Sequence, residues 1–237
     1  MKTKLYTIIA LLLVALSTQA QDQPEYRMEL GAGAGLAAYV GDLNSNPAKG
    51  MRPMGALVAK YRSNPRMAWA LNLGLSQLKG STKDSDSWLP ELSETIADFK
   101  TSIVDVQLRF EYNFWAFGTG REYHGAQPLT PFITLGLGAT IGNAKITQTG
   151  ADELKKNSFA AQMPIGLGVK YKVADRLNLT AEWIMHFTGT DKLDGMEDPY
   201  GIRSKGLFKN TDGYSTLQLS LTYDLWAKCR VCHNDRD

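Results

Sequence analysis

The sequence predicts an all-β protein, namely an eight-stranded antiparallel transmembrane β-barrel with long outer loops and a short periplasmic C-terminal tail. Two observations predict this fold class. Apolar and polar residues alternate with a period of two in eight segments, which is typical of strands whose two faces meet different surroundings. The links between these segments are in most cases alternately short and long, as in outer-membrane barrels with both ends in the periplasm.

The first element is a predicted secretory signal peptide, which covers residues 1–20. Lys2 and Lys4 precede the apolar run 5–16, and a small residue, Ala20, stands where cleavage is expected. We therefore expect the mature protein to be exported from the cytoplasm.

The exported chain is predicted to consist of a barrel over residues 21–226 and a periplasmic tail over residues 227–237. Removing the two lysines of the leader from the 26 basic residues balances the 24 acidic ones, so the mature chain is neutral. A neutral chain is not expected to present a surface for nucleic acid.

Each predicted strand has one face that is apolar along its length. The alternation is clearest between Val104 and Phe114, where the intervening positions hold polar residues only, namely Asp105, Gln107, Arg109, Glu111 and Asn113. A row of this kind does not fit one ordinary dry core. The predicted strands span residues 26–40, 53–62, 67–75, 104–114, 133–141, 159–171, 177–187 and 217–225.

The predicted connections decide which end of the barrel faces outward. Residues 63–66 and 174–175 form tight turns, whereas links of about 12, 20, 15 and 25 residues join the other hairpin partners and should lie outside. One connection on the periplasmic side, residues 115–130, is longer than this pattern predicts.

The inward face of the barrel is predicted to hold an ionic network. At eight strands the interior is narrow and filled by side chains, so we expect a plugged barrel without a useful channel. The residues of this network are Arg27, Glu29, Lys60, Asp105, Arg109, Glu111, Lys170, Glu182 and Asp224.

A soluble secreted β-sandwich is the alternative fold, because sandwich strands also alternate. The aromatic residues favour the barrel, since they cluster at the strand ends on the presumed periplasmic side, as interfacial girdles do. These residues are Tyr112, Phe114, Trp115, Phe117, Tyr171, Tyr223 and Trp226.

Several motifs carry a family resemblance. The most specific are Gly41-Asp42-Leu43-Asn44 and Thr190-Asp191-Lys192-Leu193-Asp194, and further matches lie at residues 29–31, 131–138 and 164–171. Together they resemble the PorG-like barrels, the outer-membrane component of the type IX secretion system. The paired cysteines that follow the last strand also look like the tail of that family.

The resemblance implies a non-catalytic protein of the cell outer membrane that takes part in the export of folded cargo. PorG-like proteins work with a periplasmic ring built from a lipoprotein and its partner protein, and they anchor or stabilise that ring beneath the membrane. The implied partners of this chain are therefore the two ring proteins and outer-membrane lipid.

Cys229 and Cys232, with His233, form a C-x-x-C-H sequence, the pattern of covalent haem attachment. Haem also needs a pocket and a second axial ligand, and zinc needs four ligands where this tail supplies three at best, so no cofactor or metal is expected. We expect a disulfide, either local or to another protein. The sharper hypothesis is that the cysteines tether the tail to the periplasmic ring.

The long periplasmic connection is the predicted docking surface for that ring, because it carries Phe117, Arg121, Tyr123 and His124. The alternative is a loop that folds under the barrel mouth. In the outer loop around Asp191 and Asp194, which also holds Glu197 and Asp198, the spacing is not that of a calcium-binding loop, so a solvated loop is expected.

Two other functions remain open from the sequence. A lipid-modifying enzyme needs a nucleophile and a base that face one another, and His186 is the one histidine on a predicted strand, with loop residues such as Ser204 as distant candidates. A passive structural or adhesin-like barrel is the other alternative. Deletion separates it from a secretion role, because loss of a passive barrel leaves cargo export intact.

Overall fold

The computed structural model describes residues 26–40, 50–81, 97–118, 126–148, 154–189 and 213–227. These residues form eight strands: β1 (Tyr26–Val40), β2 (Arg52–Asn64), β3 (Met67–Ser81), β4 (Ala97–Asn113), β5 (Leu129–Gln148), β6 (Leu154–Ala174), β7 (Leu177–Thr188) and β8 (Gly213–Ala227). Over the same ranges, the chain has no helix long and apolar enough to cross a membrane. The predicted leader and tail lie outside the described residues.

The eight strands close into one antiparallel barrel in sequence order. Each strand pairs with the next along the chain, and β1 pairs with β8 from Tyr26 opposite Ala227 to Val40 opposite Gly213. The predicted eight-stranded antiparallel barrel is confirmed. The sandwich alternative is excluded, because the strands form a single closed sheet rather than two packed ones.

The two ends of the barrel differ in their connections. One end, which we call the turn end, carries Tyr26, Ala227 and the turns 65–66 and 175–176. The connection between β4 and β5 also lies at the turn end. The opposite end, the loop end, carries the connections β1–β2, β3–β4, β5–β6 and β7–β8, whose residues lie mostly outside the described ranges.

An apolar belt surrounds the barrel, and β5 shows its height. The outward side chains from Ile133 to Ile141 are apolar and largely exposed, and Leu137 in the middle is 72% exposed. The next two outward residues, Asn143 and Lys145, are polar. The stretch 133–141 matches the roughly 9–11 residues that a tilted strand needs to cross a bilayer. An apolar belt around a closed barrel is the arrangement of a protein embedded in lipid.

Aromatic side chains ring the turn end of this belt. Trp226 has a left-handed backbone, with φ of 53°, in a strand where even-numbered residues otherwise face the interior. This conformation turns its side chain outward, where it is 71% exposed. Phe117, which we expected in this ring, is instead buried. The exposed members of the ring include Phe114, Trp115, Tyr171, Tyr223 and Trp226.

The hairpin of β5 and β6 is longer than the sequence predicts. Its strands pair as far as Ile146 and Leu154, and only residues 149–153 separate them, so the expected outer link of about 15 residues is wrong. The alternation fades beyond Ile141 because the outward positions become polar, at Asn143 and Lys145, while the inward positions hold the small buried residues Gly142 and Ala144. Loss of alternation therefore marks the edge of the membrane, not the end of the strand.

The connection between β4 and β5 folds against the turn end. The Phe117 N–H donates to the Pro65 carbonyl at 3.0 Å, and the Asn113 N–H donates to the Arg66 carbonyl at 2.7 Å. A further bond joins the Gln127 N–H to the Ala116 carbonyl at 2.9 Å. The described part of this connection thus forms a floor beneath the barrel mouth.

Candidate functional site

The lumen is the part of the molecule where polar chemistry is concentrated. Period-two geometry sends every second side chain inward, and the acidic, basic and amide residues occupy these positions. Charged side chains in such a place need partners, because an unpaired charge away from water is strongly unfavourable. Their contacts form three ionic groups, stacked from the turn end towards the loop end.

The first ionic group joins β2, β1 and β8 at the turn end. Arg62 donates from Nε to Glu29 Oε1 at 2.7 Å and from Nη2 to Asp224 Oδ1 at 2.8 Å. Thr222 donates to the other Glu29 oxygen at 2.7 Å, and Asn178 donates to Asp224 Oδ1 at 2.9 Å. Two carboxylates thus share one guanidinium, and neutral donors complete their coordination.

Phe117 closes the lumen below this group. The Arg62 guanidinium carbon lies 5.5 Å from the centroid of the Phe117 ring, within the range of a cation–π contact. Phe117 is 1% exposed. Its side chain is therefore part of the interior and is not offered to a partner as a docking surface.

The second ionic group crosses the lumen between β2, β4 and β6. Glu111 forms ion pairs with Lys60, at 3.1 Å from Oε1, and with Lys170, at 2.6 Å from Oε2. Both ammonium groups also face the ring of Phe132, at 5.7 Å and 4.7 Å from its centroid. One carboxylate and one aromatic ring together hold two positive charges.

Gly168 makes room for that ring. A Cβ at this position would lie 2.7 Å from a ring carbon of Phe132 and 2.5 Å from the carbonyl oxygen of Ala181. The missing side chain lets Phe132 lie flat enough to meet both lysines. Gly168 thus leaves space in the lumen, and the Phe132 ring occupies that space.

The third ionic group pairs β4 with β7. Arg109 donates through Nη1 and Nη2 to the two carboxylate oxygens of Glu182, at 3.2 Å and 3.1 Å. Both side chains are buried. A two-pronged contact fixes orientation as well as distance, so this pair ties opposite parts of the barrel wall together.

A neutral hydrogen-bonded cluster follows towards the loop end. His186 contacts Gln162 Oε1 through Nδ1 at 3.0 Å and Thr216 Oγ1 through Nε2 at 2.9 Å. An amide oxygen can only accept, so Nδ1 carries the proton and Nε2 accepts from Thr216. The Tyr214 ring stacks on His186 at 4.1 Å, and its hydroxyl donates to Gln162 at 2.9 Å.

Thr216, His186 and Gln162 are hydrogen-bonded in series, like the nucleophile, base and orienting group of an enzyme. The series lacks the exposure to substrate that catalysis needs. Thr216, His186 and Gln162 are each 3% exposed or less, and Tyr214 covers one face of the imidazole. Among the described residues, these side chains pack closely together and leave Thr216 almost fully buried. Ser204, His124 and His233 lie outside the described residues.

Apolar side chains fill the lumen at the loop end. They share inward parity with the charged residues, and three of them, Leu78, Ile103 and Tyr214, lie beyond the alternating segments that the sequence predicts. The cluster consists of Ala37, Tyr39, Met54, Ala56, Leu78, Ile103 and Tyr214. The interior is therefore packed by Phe117 at one end, by ion pairs in the middle and by an apolar cluster at the other end.

Most of the predicted lumen residues are brought together inside the barrel. Glu29, Lys60, Asp105, Arg109, Glu111, Lys170, Glu182 and Asp224 are all buried. Arg27 is different: it is half-buried at the turn end and its Nη1 donates to the Tyr61 hydroxyl at 3.4 Å. Arg27 therefore belongs to the rim, because position 27 is too close to the strand end to reach the interior. Asp105 contacts Gln107 rather than a cation.

Arg62 and Phe132 are central residues that the predicted network leaves out. The sequence does show Arg62 on the same face as Lys60, and that parity is the signal that identifies it. Phe132 gives no such signal, because an aromatic residue in a strand fits either face.

The remaining predicted site residues lie outside the described ranges. They comprise Arg121, Tyr123 and His124 of the long connection, Cys229 and Cys232 of the tail, and the acidic residues 191–198 of the outer loop. Within the described ranges, no group of three or more His, Cys, Asp and Glu side chains is placed to hold a metal ion.

Comparison with known proteins gives one family match. Residues 3–234 match the family described as a domain of unknown function, DUF6089. No curated protein matches the chain.

Three solved structures of small barrels are similar to this chain. Neisserial surface protein A is 14% identical, with a TM-score of 0.47, over 84% of this chain and 97% of that one. Ail of Yersinia pestis, in complex with a heparin analogue, is 10% identical, with a TM-score of 0.46, over 84% and 99%. A major outer membrane protein from Thermus thermophilus is 15% identical, with a TM-score of 0.45, over 84% and 99%.

Proposed function

Since the chain belongs to the DUF6089 family, a domain of unknown function, we propose its role from its own geometry. It is a non-catalytic structural barrel of the outer membrane, and it passes no solutes. Its turn end and both termini lie in the periplasm. The barrel acts as a rigid body fixed in lipid, and its outer loops and periplasmic surfaces are available to other molecules.

The packed lumen is the observation that carries this proposal. Glu111 bridges Lys60 and Lys170 across the interior, so the middle of the barrel is held closed by charge-assisted contacts. Opening a path for ions requires those contacts to break inside a space that offers few replacement partners. A rigid, filled interior suits a scaffold and does not suit a pore.

Electrical recording tests this role directly. Purified protein in planar lipid bilayers is expected to leave the current at the level of protein-free detergent. The same preparation, checked for folding by its heat-dependent shift on a denaturing gel, serves as the folded sample. A stable, reproducible single-channel conductance from the folded protein contradicts the proposal.

A part in type IX secretion is the second candidate, and the sequence resemblance is what favours it. The Gly41-Asp42-Leu43-Asn44 motif and the acidic outer-loop motif lie outside the described residues, so this candidate rests on sequence. In this role the barrel anchors the periplasmic ring lipoprotein and its partner protein, and Arg121, Tyr123, His124, Cys229 and Cys232 supply the contacts.

Deletion of the gene separates the two candidates. A ring anchor is needed for cargo export, so its loss stops secretion, whereas loss of a passive barrel leaves secretion intact. Restoring the gene with Cys229→Ser and Cys232→Ser then tests the tether. Recovery of the ring with the double variant after non-reducing extraction excludes a covalent link, and recovery of no ring with the unchanged protein excludes the anchor role.

A further inference from the structure

The turn end carries an arginine that the packed interior does not use. Arg176 lies in the tight turn between β6 and β7, and its carbonyl accepts from the Asp224 N–H at 2.8 Å. This bond fixes the backbone of Arg176 against β8. The side chain is therefore presented from a rigid position.

Two tyrosine rings hold the guanidinium on the outside of the barrel. Its central carbon lies 4.8 Å from the Tyr26 ring centroid and 5.1 Å from the Tyr223 ring centroid. Tyr223 is 44% exposed on the outward face of β8, and Tyr26 has the outward parity of β1. Arg176 therefore lies at the level of the aromatic ring that surrounds the belt, where the bilayer meets water.

The guanidinium has donors without acceptors in the described part of the chain. Arg176 Nε is buried and has no hydrogen-bond partner there, and no described carboxylate forms an ion pair with Arg176. The two tyrosine rings stabilise the positive charge of Arg176, but a ring face is not a conventional hydrogen-bond acceptor for its N–H groups. A buried donor that lacks a partner is unfavourable, so this geometry calls for an acceptor beyond the described residues.

A second arginine, Arg27, lies next to Tyr26 in the sequence. Its Nε is also buried without a partner among the described residues. Its Nη1 donates to the Tyr61 hydroxyl. The turn end of β1 thus carries two positive charges, Arg27 towards Tyr61 of β2 and Arg176 towards Tyr223 of β8.

We propose that Arg176, held between Tyr26 and Tyr223, binds the phosphate group of a membrane phospholipid. At this depth the abundant anionic acceptor is the lipid phosphate, and the planar guanidinium matches two phosphate oxygens at once. The tyrosine rings keep the side chain in a binding-ready orientation. Arg27 adds a second positive charge, so lipids with a net negative headgroup bind better than zwitterionic ones.

Lipid titration of the purified full-length protein in detergent tests the site. Phosphatidylglycerol is added in steps and binding is followed by native mass spectrometry. Arg176→Gln is expected to weaken the affinity about tenfold, the effect of losing about 1.4 kcal/mol of charge-assisted contacts. Arg66→Gln is the matched control, because Arg66 is an exposed arginine in the other tight turn at the same end.

Further measurements distinguish lipid phosphate from free phosphate and add a variant that keeps the arginine. Phosphatidylcholine is expected to bind more weakly than phosphatidylglycerol, and inorganic phosphate alone is not expected to compete. Tyr223→Leu keeps the arginine but removes one ring, and it is expected to weaken lipid binding as well. Equal affinities of Arg176→Gln and Arg66→Gln overturn the proposal, and so does full competition by free phosphate.

Discussion

Arg62 and Glu29 lie on neighbouring strands and meet inside the barrel at 2.7 Å, from Nε to Oε1. Asp224 binds the same guanidinium from β8, so Arg62 joins three consecutive strands of the closed wall. The first and last strands of the chain meet at this point. The contact is therefore both part of the lumen packing and a lock on barrel closure.

Arg62→Met is expected to destabilise the protein by about 3–5 kcal/mol, because it leaves Glu29 and Asp224 as buried charges without their cation. Urea unfolding from lipid vesicles, followed by tryptophan fluorescence, measures the loss. Arg66→Met is the control, since Arg66 is exposed and its side chain lies outside the lumen. An equal, small effect of both variants contradicts a structural role for the buried group.

Glu111→Gln is expected to cost a similar amount, about 3–5 kcal/mol, because Lys60 and Lys170 lose their shared carboxylate. Adding Lys170→Met to this variant removes one of the two repelling ammonium groups. The double variant is therefore expected to be more stable than the sum of the two single changes predicts. Strict additivity in this double-mutant cycle shows that Glu111 and Lys170 are not coupled.

Leu137→Arg is expected to destabilise the barrel by about 2–4 kcal/mol, because its side chain points into lipid near the middle of the belt. Asn143→Arg, on the same face of the same strand beyond the belt, is expected to change stability by about 0–1 kcal/mol. The two unfolding free energies are compared in identical vesicles. If position 143 proves as sensitive as position 137, the belt extends further than its apolar side chains indicate.

Gly168→Ala is expected to destabilise the protein by about 1–3 kcal/mol, because the added methyl group overlaps the Phe132 ring and a backbone oxygen. Gly55→Ala provides the comparison, since the nearest atom to its new methyl group lies 4.0 Å away. Thermal unfolding in detergent ranks the two variants. A Gly168→Ala protein as stable as Gly55→Ala means that Phe132 can move without loss.

The period of the hydrophobic pattern was enough to predict the number of strands and the faces of most side chains inside the belt, and the need to pair every strand edge in lipid predicted closure. Inside the belt, lipid and lumen impose opposite chemistry on alternate residues, so parity identifies Glu29, Arg109 and Glu182 as inward. Beyond the belt this contrast disappears, because the outward residues meet water instead of lipid and the inward ones include the small buried residues Gly142 and Ala144. For that reason the sequence gives no clear end for β5 and β6.

Side-chain contacts across the lumen are harder to predict than the face of the strand on which a side chain lies. Parity places Arg62 and Lys60 on the inward face of β2. It does not show that Arg62 pairs with Glu29 and Lys60 with Glu111, because these pairings depend on strand tilt and on the height of each residue along the barrel axis. Phe117 illustrates a second limit. It follows β4 in a connection, where alternation no longer applies, and backbone hydrogen bonds to the 65–66 turn decide that it faces the interior.

The pairing of β1 with β8 has a consequence for biogenesis. The strand that leaves the ribosome first needs the one that leaves last, so a nascent chain that stops before Gly213 exposes an unpaired edge on β1 and another on β7. Insertion must therefore wait until synthesis is complete. Until then, the apolar side chains of the belt lack their lipid surroundings, and truncation before Gly213 is expected to leave an unclosed sheet rather than a smaller barrel.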